Sequence, residues 1–235
     1  MSATAGPDIS ESGLVLYLDA GNSRSYPSSG TTWNDISGNN NSGTLTNGPT
    51  FSSNNLGSIA FNSSSLQYVN IANPTVFDFA NTTFTTSVWV KTISTATQLI
   101  ITKGYTSGGW TIALQPDGTV EVGTKNNTTG ATACGRASVA VINDNMWHCI
   151  SAICTTSTTV VNSNDIQIYI DGILNQGAIT KSLTYSTEAA NLNIGRRSIG
   201  LYFTGNVANL QIWNRALSPQ EILQNFNAQR SRFGV

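Results

Sequence analysis

Charge is what this chain most lacks. Only 10% of its 235 residues are Asp, Glu, Lys or Arg, against about 25% in an ordinary globular domain. With a formal net charge of −1 and no basic cluster beyond the pair Arg196-Arg197, there is no electrostatic footprint for a phosphate backbone, and nucleic acid is excluded as a direct partner. No run approaches the roughly eighteen apolar residues needed to cross a bilayer, so a membrane is not a partner either. The start, Met1 to Asp8, lacks the basic and apolar segments of a secretory leader, and the expectation is a chain with no visible export route. Cysteine is scarce and odd in number: Cys134, Cys149 and Cys154. Cys149 and Cys154 lie five apart on one expected strand and therefore point to opposite faces. All three read as reduced, mostly buried small hydrophobes rather than redox or metal groups, with a bridge from Cys134 to one of the others left open.

What is present is a Ser-, Thr- and Asn-rich polar surface on a β-rich body. A single domain of this length buries roughly 70–75% of its unfolded surface, and no linker divides it. Strand-like runs bounded by Gly, Asn, Ser and Pro clusters recur along the chain. They include Leu14 to Asp19, Ser58 to Phe61, Gln67 to Ile71, Phe84 to Lys91, Gln98 to Lys103, Trp110 to Leu114, Thr119 to Thr124, Ala137 to Ile142, Trp147 to Cys154, Val160 to Ile170 and Asn191 to Ile194. Residues Gly21 to Thr50 read as mostly loop. Asp117-Gly118 and Asp171-Gly172 are the sharpest hairpin-turn signals. In the clearest strand, Phe84, Thr86, Val88 and Val90 share one face and Thr85, Ser87, Trp89 and Lys91 the other, the pattern of a sheet wet on one side. Trp89, Trp147 and Trp213 are read as packing between two sheets. About twelve or thirteen strands result.

The last third carries the most information. A strand through Ala208, Leu210 and Ile212 on one face and Asn209, Gln211 and Trp213 on the other runs into Asn214-Arg215-Ala216-Leu217-Ser218-Pro219-Gln220-Glu221. Ser218 suits the cap, Pro219 the first helical position, and Glu221 closes a capping box. This phrase resembles the end of the laminin-G-like, concanavalin A-like jelly roll. Phe84 to Lys91, Asp144 to His148 and Ile168 to Gly172 resemble earlier strands of that family, in its order. The resemblance covers roughly residues 14 to 225 and implies an all-β, two-sheet antiparallel jelly-roll sandwich with one short C-terminal helix. The domain is expected over residues 13–229, with a flexible N-terminal arm at 1–12 and a basic C-terminal tail at 230–235. A narrower likeness, in Gly13 to Asn22 and Gln224 to Gly234, is to jelly-roll proteins of tailed bacteriophages.

The concanavalin A-like superfamily includes polysaccharide hydrolases, so the resemblance raises a catalytic role for the carboxylates. Glycoside hydrolysis needs two of them, about 5–5.5 Å or 6.5–9.5 Å apart. The only glutamates are Glu11, Glu121, Glu188 and Glu221; none has an acidic residue two positions away, and Glu121, four from Asp117, follows a hairpin turn, so no catalytic residue is assigned and the chain is expected not to be an enzyme. His148, the single histidine, reads as a packed strand residue, and its neighbour Cys149 points the other way. Many laminin-G-like domains carry Ca²⁺ in rim loops. Here Asp35 to Asn41 offers one carboxylate and several amides, with Asp19 a candidate neighbour; Ala208-Asn209 and Asn62 stand where that family commonly has acids. The loop is read as a turn-former, and no cofactor or metal is expected.

Exposed aromatics give another route to sugar binding, since a ring face stacks on a pyranose while Asn and Asp fix its hydroxyls. Trp33, Tyr105, Trp110 and Tyr202, with Phe203 beside the last, are the candidate ligand contacts. Two functions follow from the resemblance. The first is a non-enzymatic structural protein of the virion surface, a capsid decoration or fibre-associated subunit, with other virion proteins and further copies of itself as partners and host glycan adhesion as an addition. The second is a carbohydrate-binding module or adhesin, with or without a dependence on calcium.

Overall fold

The computed structural model describes residues 8–72, 75–79, 82–104, 108–125, 132–155, 160–161, 165–177, 179–181, 183–184, 188–197 and 200–235. In chain order the strands are β1 (Leu14–Asp19), β2 (Thr32–Trp33), β3 (Gly43–Thr46), β4 (Thr50–Ser52), β5 (Ser58–Phe61), β6 (Tyr68–Ile71), β7 (Phe84–Lys91), β8 (Gln98–Gly104), β9 (Gly109–Leu114), β10 (Val120–Lys125), β11 (Thr132–Ala137), β12 (Trp147–Cys154), β13 (Val160–Val161), β14 (Ile166–Ile170), β15 (Ile173–Leu174), β16 (Ile179–Lys181), β17 (Leu183–Thr184), β18 (Leu192–Ile194) and β19 (Gly205–Trp213). Helix α1 (Pro219–Phe233) closes the chain. Sheet I runs β15-β14-β12-β7-β19-β5-β4, with β1 also paired to β19, and sheet II runs β16-β11-β10-β9-β8-β18-β6-β3-β2. Strands β13 and β17 form a small separate pair. The fold is the expected all-β sandwich of two antiparallel sheets with one C-terminal helix.

The strands beyond the expected number are short ones inside stretches read as loop. Gly21 to Thr50 holds β2, β3 and the start of β4, whose Thr and Gly residues have little strand pattern of their own but find partners, Thr44 opposite Asn70 and Leu45 opposite Val69. Pairing supplied by a neighbouring strand outweighs a weak local preference. Conversely, Ala137 to Ile142 is not a strand: β11 ends at Ala137, and Ser138 Oγ turns the chain by donating to the Ala140 carbonyl at 2.7 Å. The Asp171-Gly172 turn joins β14 to β15 with positive φ at both residues, 54° and 77°, as the two-residue hairpin demands. A side chain at position 172 would also stand 3.1 Å from Phe226 Cδ1.

The core between the sheets follows strand alternation. Phe84, Val88 and Val90 of β7 meet Ile101 of β8, Trp110 and Ile112 of β9, and Leu192 and Ile194 of β18 in one buried cluster. Leu210 and Ile212 join from β19. A register shift between Val207 and Asn209 places Ala208 with the opposite cluster, so the simple alternation read over residues 208–213 breaks at its first residue.

Sheet I is not wet on its outer face. Thr85, Ser87 and Trp89 are as buried as their core-facing neighbours, because α1 lies across that face. Trp89, Trp147, Cys149 and Ala208 pack with Phe226 and Phe233 of the helix, and Ile153, Tyr169 and Trp213 with Leu217 and Ile222. The Trp89 and Phe233 rings stack with centroids 4.0 Å apart. The three tryptophans expected between the sheets therefore lie under the helix, whereas Trp33 and Trp110 fill the inter-sheet core. The capping box forms as expected, with Ser218 and Glu221 satisfying each other's backbone N–H groups.

The ends also differ from expectation. Residues 8–12 are pinned to the helix: Trp213 Nε1 donates to the Ser10 carbonyl at 2.7 Å, Ser10 N to Asn225 Oδ1 at 2.7 Å, and Arg215 Nε to the Ser12 carbonyl at 2.7 Å. Residues 1–7 of the expected arm lie outside the described residues. Arg230 and Arg232, read as a basic tail, are in the last turn of α1, and Arg232 bridges to Asp19 at 2.6 Å. Phe233→Ala should lower unfolding stability by about 3–5 kcal/mol and Ser218→Ala by about 1 kcal/mol, both read from urea titration. Equal losses would mean that the aromatic face does not hold the helix.

Candidate functional site

Of the three aromatic candidates among the described residues, Trp33, Trp110 and Tyr202, only Tyr202 stands at the surface. Trp33 is 0% and Trp110 1% exposed, and Trp110 Nε1 is consumed by the Phe77 carbonyl at 3.1 Å. Both rings are committed to the core, because each sits at a core-facing position of its strand, and neither offers a face to a sugar. Tyr105 lies outside the described residues. Phe203 is buried against Phe61, with ring centroids 6.3 Å apart. This anchors its neighbour Tyr202, half-buried, on the outer surface of sheet II.

There Tyr202 meets Tyr68 of β6, ring centroids 6.4 Å apart, and the Arg196 guanidinium lies over the Tyr68 ring with Cζ 3.5 Å from its centroid. Arg196 Nε donates to Asn193 Oδ1 at 3.2 Å, and Asn193 Nδ2 donates to the Asn191 carbonyl at 3.2 Å. The sequence reading took Tyr202 but missed Tyr68, Asn70, Asn193 and Arg196, since β6 and β18 become neighbours only in the folded sheet. The pair Arg196-Arg197 was visible, though only as a charge count.

The sheet register extends this cluster into a row. Thr44, Asn70, Asn193, Thr102, Thr111, Gly123 and Gly135 stand opposite one another on successive strands. All face away from the core, because Leu45, Val69, Ile71, Leu192, Ile194, Ile101, Ile112 and Val122 face into it. At a strand spacing of about 4.8 Å the row is roughly 29 Å long. Only its first end reaches the surface: Thr44 is exposed and Asn70 half-buried, whereas Asn193, Thr102, Thr111, Gly123 and Gly135 are buried, Thr102 with no hydrogen-bond partner for its Oγ1. The two facing glycines leave the far end without side chains. The accessible groups are the Thr44 hydroxyl, the Asn70 amide and the two tyrosine rings, a small polar and aromatic patch. Glu121 lies on this same face, opposite Ala113 and Ala137 rather than another acid, and burial pushes its carboxyl above the usual range.

The other candidate groups have internal partners. Asp35 Oδ1 accepts from Tyr17 N and Ser37 N, and Oδ2 from Ser37 Oγ and Asn41 N, all at 2.9 Å, the turn-forming use expected of it. Asp19 faces Arg232, and Asn62 Oδ1 caps a short 3₁₀ turn by accepting from Ser64 N at 2.9 Å. His148 finds two acids that the sequence did not place beside it: Nδ1 is 2.8 Å from Asp171 Oδ2 and Nε2 is 3.2 Å from Asp144 Oδ1. Cys149 points to the opposite face, and burial pushes its thiol up to about 12. Cys149 and Cys154 are free and buried; the side chain of Cys134 lies outside the described residues.

Residues 62–223 match the family model of the concanavalin A-like lectin/glucanases superfamily, laminin G type. The chain belongs to that superfamily. No curated protein sequence matches it. Among solved structures, this superfamily member is similar to the binding domain of Paraclostridial Mosquitocidal Protein 1, with a TM-score of 0.69 and 17% identity over 93% of this chain and 52% of that one. It is also similar to domain 4 of AbnA, an extracellular arabinanase from Geobacillus stearothermophilus in complex with arabinotriose, with a TM-score of 0.63 and 16% identity over 91% of this chain and 98% of that one. A third is the binding domain of botulinum neurotoxin DC in complex with SialylT, with a TM-score of 0.61 and 16% identity over 93% and 52%. The chain spans about half the length of the toxin chains. At these identities the likeness establishes the fold.

In this superfamily member the His148 clip makes a pH-dependent contribution to stability. The hydrogen bond to Asp171, opposed by desolvation, raises the imidazole above its ordinary value. The contribution is therefore complete below the unfolded-state value of about 6.5 and is lost as pH rises through the higher folded-state value. Urea midpoints measured from about pH 5 to 9 should fall across that window in the native chain and fall less in His148→Gln. Parallel profiles would show that the clip is uncoupled from folding.

Proposed function

We propose that the chain is a non-enzymatic carbohydrate-binding module whose contact surface is the outer face of sheet II, centred on Tyr68, Tyr202 and Arg196. The observation that carries this reading is the half-exposed aromatic pair set beside the accessible Asn70 amide and Thr44 hydroxyl and under the Arg196 guanidinium. Ring faces stack on sugars, and Asn70, Thr44 and the tyrosine hydroxyls supply hydrogen-bond partners. Neighbours solved in complex with arabinotriose and with SialylT support a glycan as the ligand class. No enzymatic step is assigned, because Glu121 on this face has alanines as its register partners. On a glycan array, Tyr202→Ala and Tyr68→Ala should each weaken whatever the native chain binds by about tenfold, the scale of one stacking contact, with the melting temperature held. Retained binding in both variants would move the site elsewhere.

We propose in addition that the module works at a virion surface, among other virion proteins and further copies of itself. The two terminal phrases that resemble bacteriophage jelly rolls support this setting, because they meet in the fold: Asp19 of the first pairs with Arg232 of the second at 2.6 Å. Mass spectrometry of purified particles should find the chain, and sedimentation should give a mass above the 24.9 kDa of one copy. A strict monomer absent from particles would leave the glycan reading and remove the virion one.

A further inference from the structure

We infer that the ligand of the sheet II surface is an acidic glycan, its carboxylate gripped by Arg196. This deepens the carbohydrate reading and rests on it. The chain has few cations, and Arg215 and Arg232 are spent on Glu221 and Asp19. Arg196 is held differently. Its plane is fixed over the Tyr68 ring at 3.5 Å and its Nε is anchored on Asn193 Oδ1 at 3.2 Å. No carboxylate among the described residues pairs with it, and its two terminal nitrogens carry no hydrogen bond yet are not sealed from solvent. A stacked guanidinium with one edge anchored and the remaining N–H groups open is a pre-oriented fork for a planar carboxylate.

The groups beside it complete the fit. The Tyr68 and Tyr202 hydroxyls and the Asn70 amide have no partner among the described residues, and Asn70 stands directly opposite Asn193. A uronic or sialic residue would place its carboxylate on Arg196, its ring against a tyrosine and its hydroxyls on Asn70. A neutral sugar would leave the guanidinium unmatched. An acidic peptide side chain would satisfy Arg196 but leave the Asn70 amide and the tyrosine hydroxyls unused.

The test compares matched pairs: tetragalacturonate with its methyl ester, and sialyllactose with lactose, by calorimetry and on an array that also carries acidic peptides. At least one acid should bind about tenfold more tightly than its neutral partner, the scale of one charge-assisted hydrogen bond. That preference should shrink with salt, vanish in Arg196→Gln and survive only in part in Arg196→Lys, which keeps the charge and loses the fork. Neutral and acidic partners binding equally, or Arg196→Gln keeping the preference, would overturn the acidic specificity while leaving the carbohydrate reading intact. Binding of acidic peptides alone, with no glycan retained, would overturn both.

Discussion

The burial of sheet I on both faces is the constraint on which the rest of this structure depends. One face meets sheet II and the other meets α1, so every strand near the sheet centre must satisfy two packing environments at once. A neutral, hydroxyl-rich sequence tolerates this, because Thr and Ser bury at lower cost than charges when their hydroxyls find partners. Thr85 Oγ1 donates to the Arg215 carbonyl and accepts from Leu217 N, and Ser151 Oγ donates to Ser87 Oγ at 2.9 Å. The helix is therefore part of the sandwich rather than an appendage to it.

That arrangement also explains where the charges went. The Arg215–Glu221 and Arg232–Asp19 pairs lie along the helix, joining the first strand, the segment before it and the final turn. Lys103, fully buried, pairs with Asp78 at 2.7 Å and donates to the Glu188 carbonyl at 2.6 Å, tying two loops to the end of β8. Breaking such a pair strands a buried charge, which costs far more than an exposed pair contributes.

Hairpin turns, the helix cap and the core-facing positions of the long strands were legible in the sequence, since each depends on residues close together in the chain. Asp171-Gly172 needs only two positive φ angles, and Ser218 with Glu221 needs only one helical turn. The candidate site was half legible. Tyr202 stood out as an aromatic beside a glycine turn, but its partners are separated from it by a strand pairing that no local pattern encodes. Trp33 and Trp110 looked like surface residues because they adjoin loops, while Trp89, Trp147 and Trp213 looked like the filling of a two-layer core.

By itself the sequence determined the fold class, the punctuation of its strands and the absence of a charged surface, because period-two alternation and capping chemistry are properties of short segments. Only the tertiary structure decided which tryptophans fill the core, what covers sheet I, that two aspartates clasp His148, and that Arg196 lies on Tyr68. Alternation separates two faces of a strand but cannot say what each face will meet; that is fixed by register and by the layers that pack on it.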